Sequence, residues 1–365
     1  MLYVTPPEEL AALFPGEPSY RADQLRTWLY EMPVLRAAEM TNLPGETRDR
    51  LAGELWPFAV DVEQTADGGM TRKWLFRAID GASIESVLMG YPERTTLCIS
   101  SQAGCAMGCT FCATGQFGFE RHLEAGEIVA QVAYANASLR ADPMPASPNR
   151  VTNIVFMGMG EPLASFDRVR EALRRMIEVM GIGARSITVS TVGVVPGIRQ
   201  LAATPWQVNL AISLHAADDE LRSRLVPVNR RYPIAELITA AEEYFDAKRR
   251  RVSIEWTLMA GRNDTADQAR KLAAIAHRLR AHVNVINLNP TPGTSDRPSD
   301  AAHLQAFMAA LRAEGVNVTL RDTRGQDIDA ACGQLRVARA DSRDERPGTT
   351  TPGGSIEPFR PAPLE

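Results

Sequence analysis

The run Gly104-Cys105-Ala106-Met107-Gly108-Cys109-Thr110-Phe111-Cys112 sets three cysteines in the spacing C-x3-C-x2-C, with no fourth cysteine nearby. A cubane of four irons and four sulfides needs four corner ligands. Three thiolates on one short loop hold three of its irons and leave one open, whereas ferredoxins close the cluster with a full cysteine set. An open iron can take a chelating ligand, so the pattern points to one-electron chemistry on a bound molecule. A structural zinc site is the competing assignment. It usually asks for four Cys or His ligands in paired spacings, and the nearest histidine, His122, lies ten residues beyond Cys112.

This spacing resembles that of the radical SAM enzymes. There the open iron takes the amino and carboxylate groups of S-adenosylmethionine (SAM), and one electron from the cluster cleaves the sulfonium to methionine and a 5′-deoxyadenosyl radical. Phe111, between the last two cysteines, suits packing beside the adenine. Further candidates follow along the chain. In Met157-Gly158-Met159-Gly160-Glu161-Pro162, glycines such as Gly160 let backbone approach a ligand closely, and Glu161 can accept the ammonium of SAM; an ordinary tight turn is the alternative. Ser190 and the run Ser213-Leu214-His215 offer bonds to the SAM carboxylate and ribose, with His215 equally readable as a structural histidine. The Asn289 amide can bond the adenosine moiety, or Asn289 is simply a turn residue before Pro290. Cys98 and Cys332 are the two remaining cysteines. A buried free cysteine is usually just a small hydrophobe, but Cys332 precedes Gly333 in a segment of small residues that suits a thiol able to move. Glu85 is the one acid in an apolar and small-residue stretch, with an outward-facing strand position as its plain alternative.

The elements that must position these residues follow from periodicity. Residues 1–75 read as a small helical unit, with helices over 21–30 and 46–55. Strands over 74–76 and 84–89 flank a hairpin turn at Asp80-Gly81. Strands at 95–100, 151–157, 186–191, 208–214, 252–257 and 283–288 then alternate with helices at 124–139, 167–180, 196–202, 234–248 and 265–279. A last helix is capped by Ser299 and stops at Gly315, and a final strand spans 316–321. Repeated βα units imply a parallel sheet with helices outside. Six are too few for a closed eight-stranded barrel, so the expected fold is α/β, a partial (β/α)6 radical SAM barrel over 76–336 behind the N-terminal helical domain. Chemistry in such folds collects at the C-terminal ends of the strands, and the three-cysteine loop follows the first of them. Residues 337–365, rich in Asp, Arg, Pro, Gly and Thr, read as a disordered tail.

Composition narrows the setting. With 365 residues and 45% apolar content the chain is of ordinary globular make-up, and no apolar run approaches the ~18–20 residues of a membrane span. No basic stretch followed by an apolar core opens the chain, so no secretory signal is expected. Five cysteines, an odd number with three suited to iron, point to a reducing cytoplasm. The formal net charge of −4 does not advertise a nucleic-acid binder, although local patches rather than totals carry phosphate contacts. Arg72/Lys73, Arg222/Arg224, Arg230/Arg231 and Lys248 to Arg251 are the candidate patches, each otherwise a solvated face.

Taken together, Arg21-Ala22-Asp23-Gln24, Ile84-Glu85-Ser86-Val87, Thr96 to Gln102 with Cys98, the cluster loop, Gly158 to Pro162, Ser190 to Gly193, Ile212 to Ala216 and Asn289-Pro290 resemble the RlmN-type RNA adenine C2-methyltransferases. Their C8-methylating Cfr-type relatives share the cysteines. The resemblance implies a [4Fe-4S] cluster on Cys105, Cys109 and Cys112, and two SAM molecules per turnover at Gly160, Glu161, Ser190, Ser213, Leu214, His215 and Asn289. It makes Cys332 the first methyl acceptor, Glu85 the general base, and Cys98 the thiol that closes a disulfide onto Cys332 to free the product. It implies 23S rRNA and tRNA as substrates, an N-terminal unit that docks RNA, an electron donor such as flavodoxin or ferredoxin, no membrane, and a monomer.

Overall fold

A computed structural model describes residues 1–291, 294–321, 324–331 and 333–335. The Cys332 position and the expected tail at 337–365 lie outside the described residues. In chain order the strands are β1 Phe58–Ala66, β2 Thr71–Ala78, β3 Ser83–Tyr91, β4 Arg94–Cys98, β5 Gln102–Gly104, β6 Phe119–His122, β7 Asn153–Phe156, β8 Ile187–Thr191, β9 Asn209–Ser213, β10 Ser253–Leu258, β11 His282–Asn287 and β12 Val318–Leu320.

Ten of these form one sheet in the order β1-β2-β3-β4-β7-β8-β9-β10-β11-β12. The first three pair antiparallel, and every pairing from β4 to β12 is parallel. The parallel strands read as short apolar runs because both faces are covered; five of the six β10 residues are buried. Helices return the chain across the outer face. The helix Ala125–Ala141 opens with a capping box, in which Glu127 reaches back to the Glu124 N–H at 2.8 Å. The helix Ala266–Leu279 buries Ala269, Leu272, Ala273, Ala276 and Leu279 at helical spacing. A partial, open α/β barrel is the result, with β1 and β12 as its two edges.

Two expectations need correction, and one pair of strands was not foreseen. The break expected at residue 75 falls inside β2, and β1, unanticipated, precedes it. Residues 62–65 of β1 are all exposed, so no polar–apolar alternation marks the strand; its helical neighbours end at Glu54. Asp300, not Ser299, caps the last helix Ala301–Ala313, accepting the His303 N–H at 2.8 Å. And the paired strands β5 and β6, which bracket the cluster loop, are too short to show a period.

Register fixes which side chains face the barrel interior. Lys73 of β2 pairs with Val87 of β3, which pairs with Cys98 of β4, which pairs with Val155 of β7. Glu85, two residues before Val87, shares that inner face. The opposite face of β3 packs under the helix Ala125–Ala141, where Ser86 donates to the Gln131 side-chain oxygen at 2.7 Å. Among the described residues no helix is long and apolar enough to cross a membrane.

Candidate active site

The cluster loop hangs between β5 and β6 and is held by backbone bonds rather than by its own regularity. Cys105 N–H donates to the Gly118 carbonyl at 2.8 Å, and Thr110 N–H to the Leu225 carbonyl at 3.1 Å. Downstream, Ala113 N–H donates to the Gly333 carbonyl at 2.8 Å, and the Thr114 hydroxyl to the Leu335 carbonyl at 2.7 Å. Residues on one side of the Cys332 position are therefore pinned to the turn that follows Cys112.

The three cysteines lie near enough to influence one another's ionisation. Burial pushes the Cys105 thiol up to about 12, with the negative charge of Cys112 adding to it. Burial raises Cys109 well above its ordinary range as well, followed by the charges of Cys112 and Cys105, while Arg222 pulls the other way. Among the described residues no three Cys, His, Asp or Glu side chains converge on a single ion. A cubane asks for something different, since each thiolate meets its own iron. Three thiols on one loop, with burial disfavouring the ionisation of Cys105 and Cys109, beside a buried guanidinium, fit a multi-iron cluster that would carry the positive charge needed to hold them as thiolates.

A cavity opens at the C-terminal ends of β7 to β11 against this loop. Cys109, Phe111, Cys112, Gly160, Glu161, Ser190, Ser213, His215 and Gly333 all line it. Gly160 has φ +103, and a Cβ there would stand 2.6 Å from the Gln102 Cβ, so the turn after β7 accepts no side chain at that point. Glu161 is buried, with Oε1 accepting the Leu163 N–H at 3.0 Å and Oε2 the Val192 N–H at 2.8 Å. Burial lifts its carboxyl to about 7 despite those bonds. The Ser190 and Ser213 hydroxyls meet at 3.3 Å across β8 and β9.

His215 takes φ +58, a conformation uncommon outside glycine. Its Nδ1 accepts the Thr257 N–H at 2.9 Å, and its ring meets Phe111 edge to face at 4.7 Å between centroids. Burial and then Arg222 draw its pKa down to about 3, so the ring is neutral and its proton sits on Nε2. Leu214 is buried beside it and gives its carbonyl to Arg222 at 3.1 Å.

Arg222 itself is fully buried and donates to carbonyls of Val192, Ser213 and Leu214 and to the Asn229 side chain. It is thus no RNA-facing patch, and neither are Arg72, Lys73 and Lys248, all buried. Arg224, Arg230, Arg231, Arg249 and Arg251 remain exposed, and Arg250 half-buried. Spacing could not separate a strut from a surface cation, because both read as a basic residue in a polar stretch.

A second cavity adjoins the first, with Met157 and Ile286 common to both. It contains Cys98, Asn289, Arg321, Ala330 and Ala331. Asn289 thus stands in this second space rather than with Glu161 and His215. Glu85 lines neither cavity, but lies on the inner face of β3 with its carboxylate 3.1 Å from the Lys73 ammonium. Glu255 of the first cavity and Arg321 of the second meet at 3.6 Å; neither stood out in the sequence, and only strand-end position could have flagged Glu255. Ala331 lines one cavity and Gly333 the other, on either side of position 332.

Two family models match separate stretches of the chain. Residues 99–273 match the Radical SAM superfamily, and residues 6–55 match a ribosomal RNA large subunit methyltransferase N-terminal domain. A protein of Thermobifida fusca is 49% identical over 92% of this chain and 96% of its own length, and one of Chloroflexus aurantiacus is 50% identical over 88% of each. Both carry the name "Probable dual-specificity RNA methyltransferase RlmN". The crystal structure of a radical SAM methyltransferase from Sphaerobacter thermophilus superposes with a TM-score of 0.86 at 47% identity, covering 92% of this chain and 98% of that one.

Proposed function

We propose that this chain, which belongs to the RlmN family of radical SAM RNA methyltransferases, methylates C2 of an adenosine near the peptidyl-transferase centre of 23S rRNA and of an adenosine next to the anticodon in tRNA. The observation that carries the reading is the pair of adjoining cavities, one at the cluster loop and one at Cys98, with Ala331 and Gly333 divided between them.

Cys105, Cys109 and Cys112 would hold the cluster, and Gly160, Glu161, Ser190, Ser213, Leu214 and His215 would bind SAM, with Asn289 reaching it from the adjoining cavity. When bound, the cluster supplies the electron, and SAM supplies both the methyl group and the 5′-deoxyadenosyl radical. Adenine C2 is electron-poor and offers no nucleophile for direct transfer. The Cys332 thiolate fills that gap by accepting a methyl from the first of two SAM molecules. After the activated carbon has joined the base, Glu85 takes the C2 proton. The odd electron of the adduct would pass back to the oxidised cluster. Cys98 would then give up its proton and attack the Cys332 sulfur; the S–S bond forms as the carbon–sulfur bond breaks, the carbon keeps the electron pair and takes a proton to become the methyl group, and an external two-electron reductant restores both thiols.

Neutral His215 presents Nε2–H as a donor at the cavity wall, and Glu161 presents a carboxylate for the SAM ammonium. The match of residues 6–55 to a ribosomal RNA methyltransferase domain supports RNA docking by the N-terminal unit. The reading includes a flavodoxin- or ferredoxin-type electron donor, a monomer and a cytoplasmic setting.

SAM with a fully deuterated methyl group tests it. Reconstituted enzyme is incubated anaerobically with unmodified 23S rRNA fragment and tRNA, and the digested adenosines are weighed. A C2-methyladenosine retaining two deuteriums is the expected product. Three retained deuteriums would mean direct transfer and would leave Cys332, Cys98 and Glu85 without these roles.

A further inference from the structure

We propose that Lys73 is a positioning residue that locks the base Glu85 to the chain segment leading into Cys332. This rests on the preceding reading of Glu85 and Cys332.

Lys73 lies on β2 and Glu85 on β3, both on the inner face. The ammonium stands 3.1 Å from Glu85 Oε1, with the two side chains only 8% and 4% exposed. The same Nζ donates to the Asp329 carbonyl at 3.3 Å. Asp329 has φ +50, within a turn where Ala330 N–H donates to the Gly325 carbonyl at 2.9 Å. Gly325 N–H in turn donates to Asp67 Oδ2 at 3.2 Å, at the β1–β2 connection. The segment preceding Cys332 is thus docked on the edge of the sheet, and Lys73 is where that docking touches the base.

Stability does not account for the pair. Removing two charges from water costs several kcal/mol per ion, and a buried ion pair is often no more stable than well-packed apolar residues of the same volume. A methionine at 73 would fill the space of the lysine stem. What only the ammonium supplies is direction: three donors on one point, one aimed at the carboxylate and one at the Asp329 carbonyl. The chain has three lysines among 40 basic residues, and this position uses the compact cation.

The step affected is proton transfer, in which the C2–H bond breaks, the proton goes to the Glu85 carboxylate and the electron pair stays with the substrate. Among the described residues Lys73 is the cation paired with Glu85, with Cys98 on the same face of β4 and Asp329 on the docked segment as titratable neighbours. Loss of the ammonium removes that favourable charge, so the base form of Glu85 needs a higher pH.

Lys73→Met and Lys73→Arg test this through two readouts on the full-length enzyme: methyl loading of Cys332 by intact mass, and RNA methylation across pH. The expected result for K73M is wild-type Cys332 loading, RNA methylation lower by on the order of a hundredfold, and an acidic limb displaced to higher pH. K73R, which keeps the charge but not the two-contact geometry, is expected to load Cys332 normally and lose transfer without displacing the limb. Equal loss of both readouts with an unmoved limb in K73M would make Lys73 merely structural and overturn the proposal. If K73M does not fold, K73R decides: loading kept with transfer lost supports the proposal, and wild-type values for both overturn it. Absence of Cys332 loading in the wild-type protein is a separate outcome; it refutes the thiol-carrier reading itself, and the Lys73 proposal with it.

Discussion

The backbone N–H of Ala113 donates to the carbonyl of Gly333 at 2.8 Å, joining the turn after the last cluster cysteine to the residue after Cys332. Two stretches far apart in the chain, one holding Cys105, Cys109 and Cys112 and one flanking position 332, are thereby held in one frame. Cys98 lines the cavity adjoining that frame, together with Ala331.

Cys98→Ala removes the thiol that would close onto Cys332. The expected outcome is RNA covalently joined to the enzyme, seen as a nuclease-sensitive band of higher mass in denaturing gels, with free methylated RNA falling to a trace. Free product at the normal rate would contradict the assigned role. Cys98 is buried at the end of β4 beside a cavity, and alanine removes only its small sulfur, so the change should cost little stability.

Glu161 predicts a pH dependence of SAM binding. Its carboxyl ordinarily ionises near 4.5 and is lifted by burial to about 7. The unfolded chain gives up this proton near 4.5 and the fold keeps it to about 7, so the stability from this group is complete below 4.5 and is lost as pH rises to about 7. The ligand ammonium needs the ionised form. SAM affinity measured by equilibrium dialysis should therefore rise from about pH 6 to about pH 8, and Glu161→Gln should bind weakly at both with a flat profile.

His215 separates two roles by substitution. Asparagine tolerates φ +58 and retains an acceptor for the Thr257 N–H, so His215→Asn should keep its fold and lose SAM affinity with the Nε2–H. His215→Ala strands that N–H and should cost about 1–3 kcal/mol of stability in denaturant unfolding. The wild-type histidine stays neutral down to about 3 against an ordinary 6.5, so it draws stability down as pH falls through that interval. H215N should show a shallower acid slope.

Arg222→Lys should fold less stably and hold less iron. A lysine ammonium cannot span the carbonyls of Val192, Ser213 and Leu214 as the guanidinium does. Each buried carbonyl left without a donor costs about 1–3 kcal/mol. A fall of several degrees in Tm together with reduced iron per chain is expected; an unchanged Tm would show that the strand ends do not depend on this strut.

The cluster loop, the strand-end motifs and the alternation of strand and helix were legible because each has a local signature: cysteine spacing, glycine beside acid, apolar runs of fixed length. β1 was not, since its exposed residues 62–65 have no apolar partner to alternate with. Glu85 could be singled out as an odd acid in a strand, but its buried partner could not, because Lys73 looks like any basic residue next to Arg72. Arg222 failed for the same reason. Its donors reach positions 192, 213 and 214, which only the parallel register brings together. Long-range pairing of charge with backbone leaves no trace in composition or period.

The bond from Lys73 to Asp329 closes a loop of 256 residues, and the one from Thr114 to Leu335 a loop of 221. Both ties are made by residues near the end of the described chain to elements synthesised long before them. A chain cut before residue 324 would keep every strand of the sheet and lose both ties, so the far ends of β2 and of the cysteine loop would have to hold their places unaided.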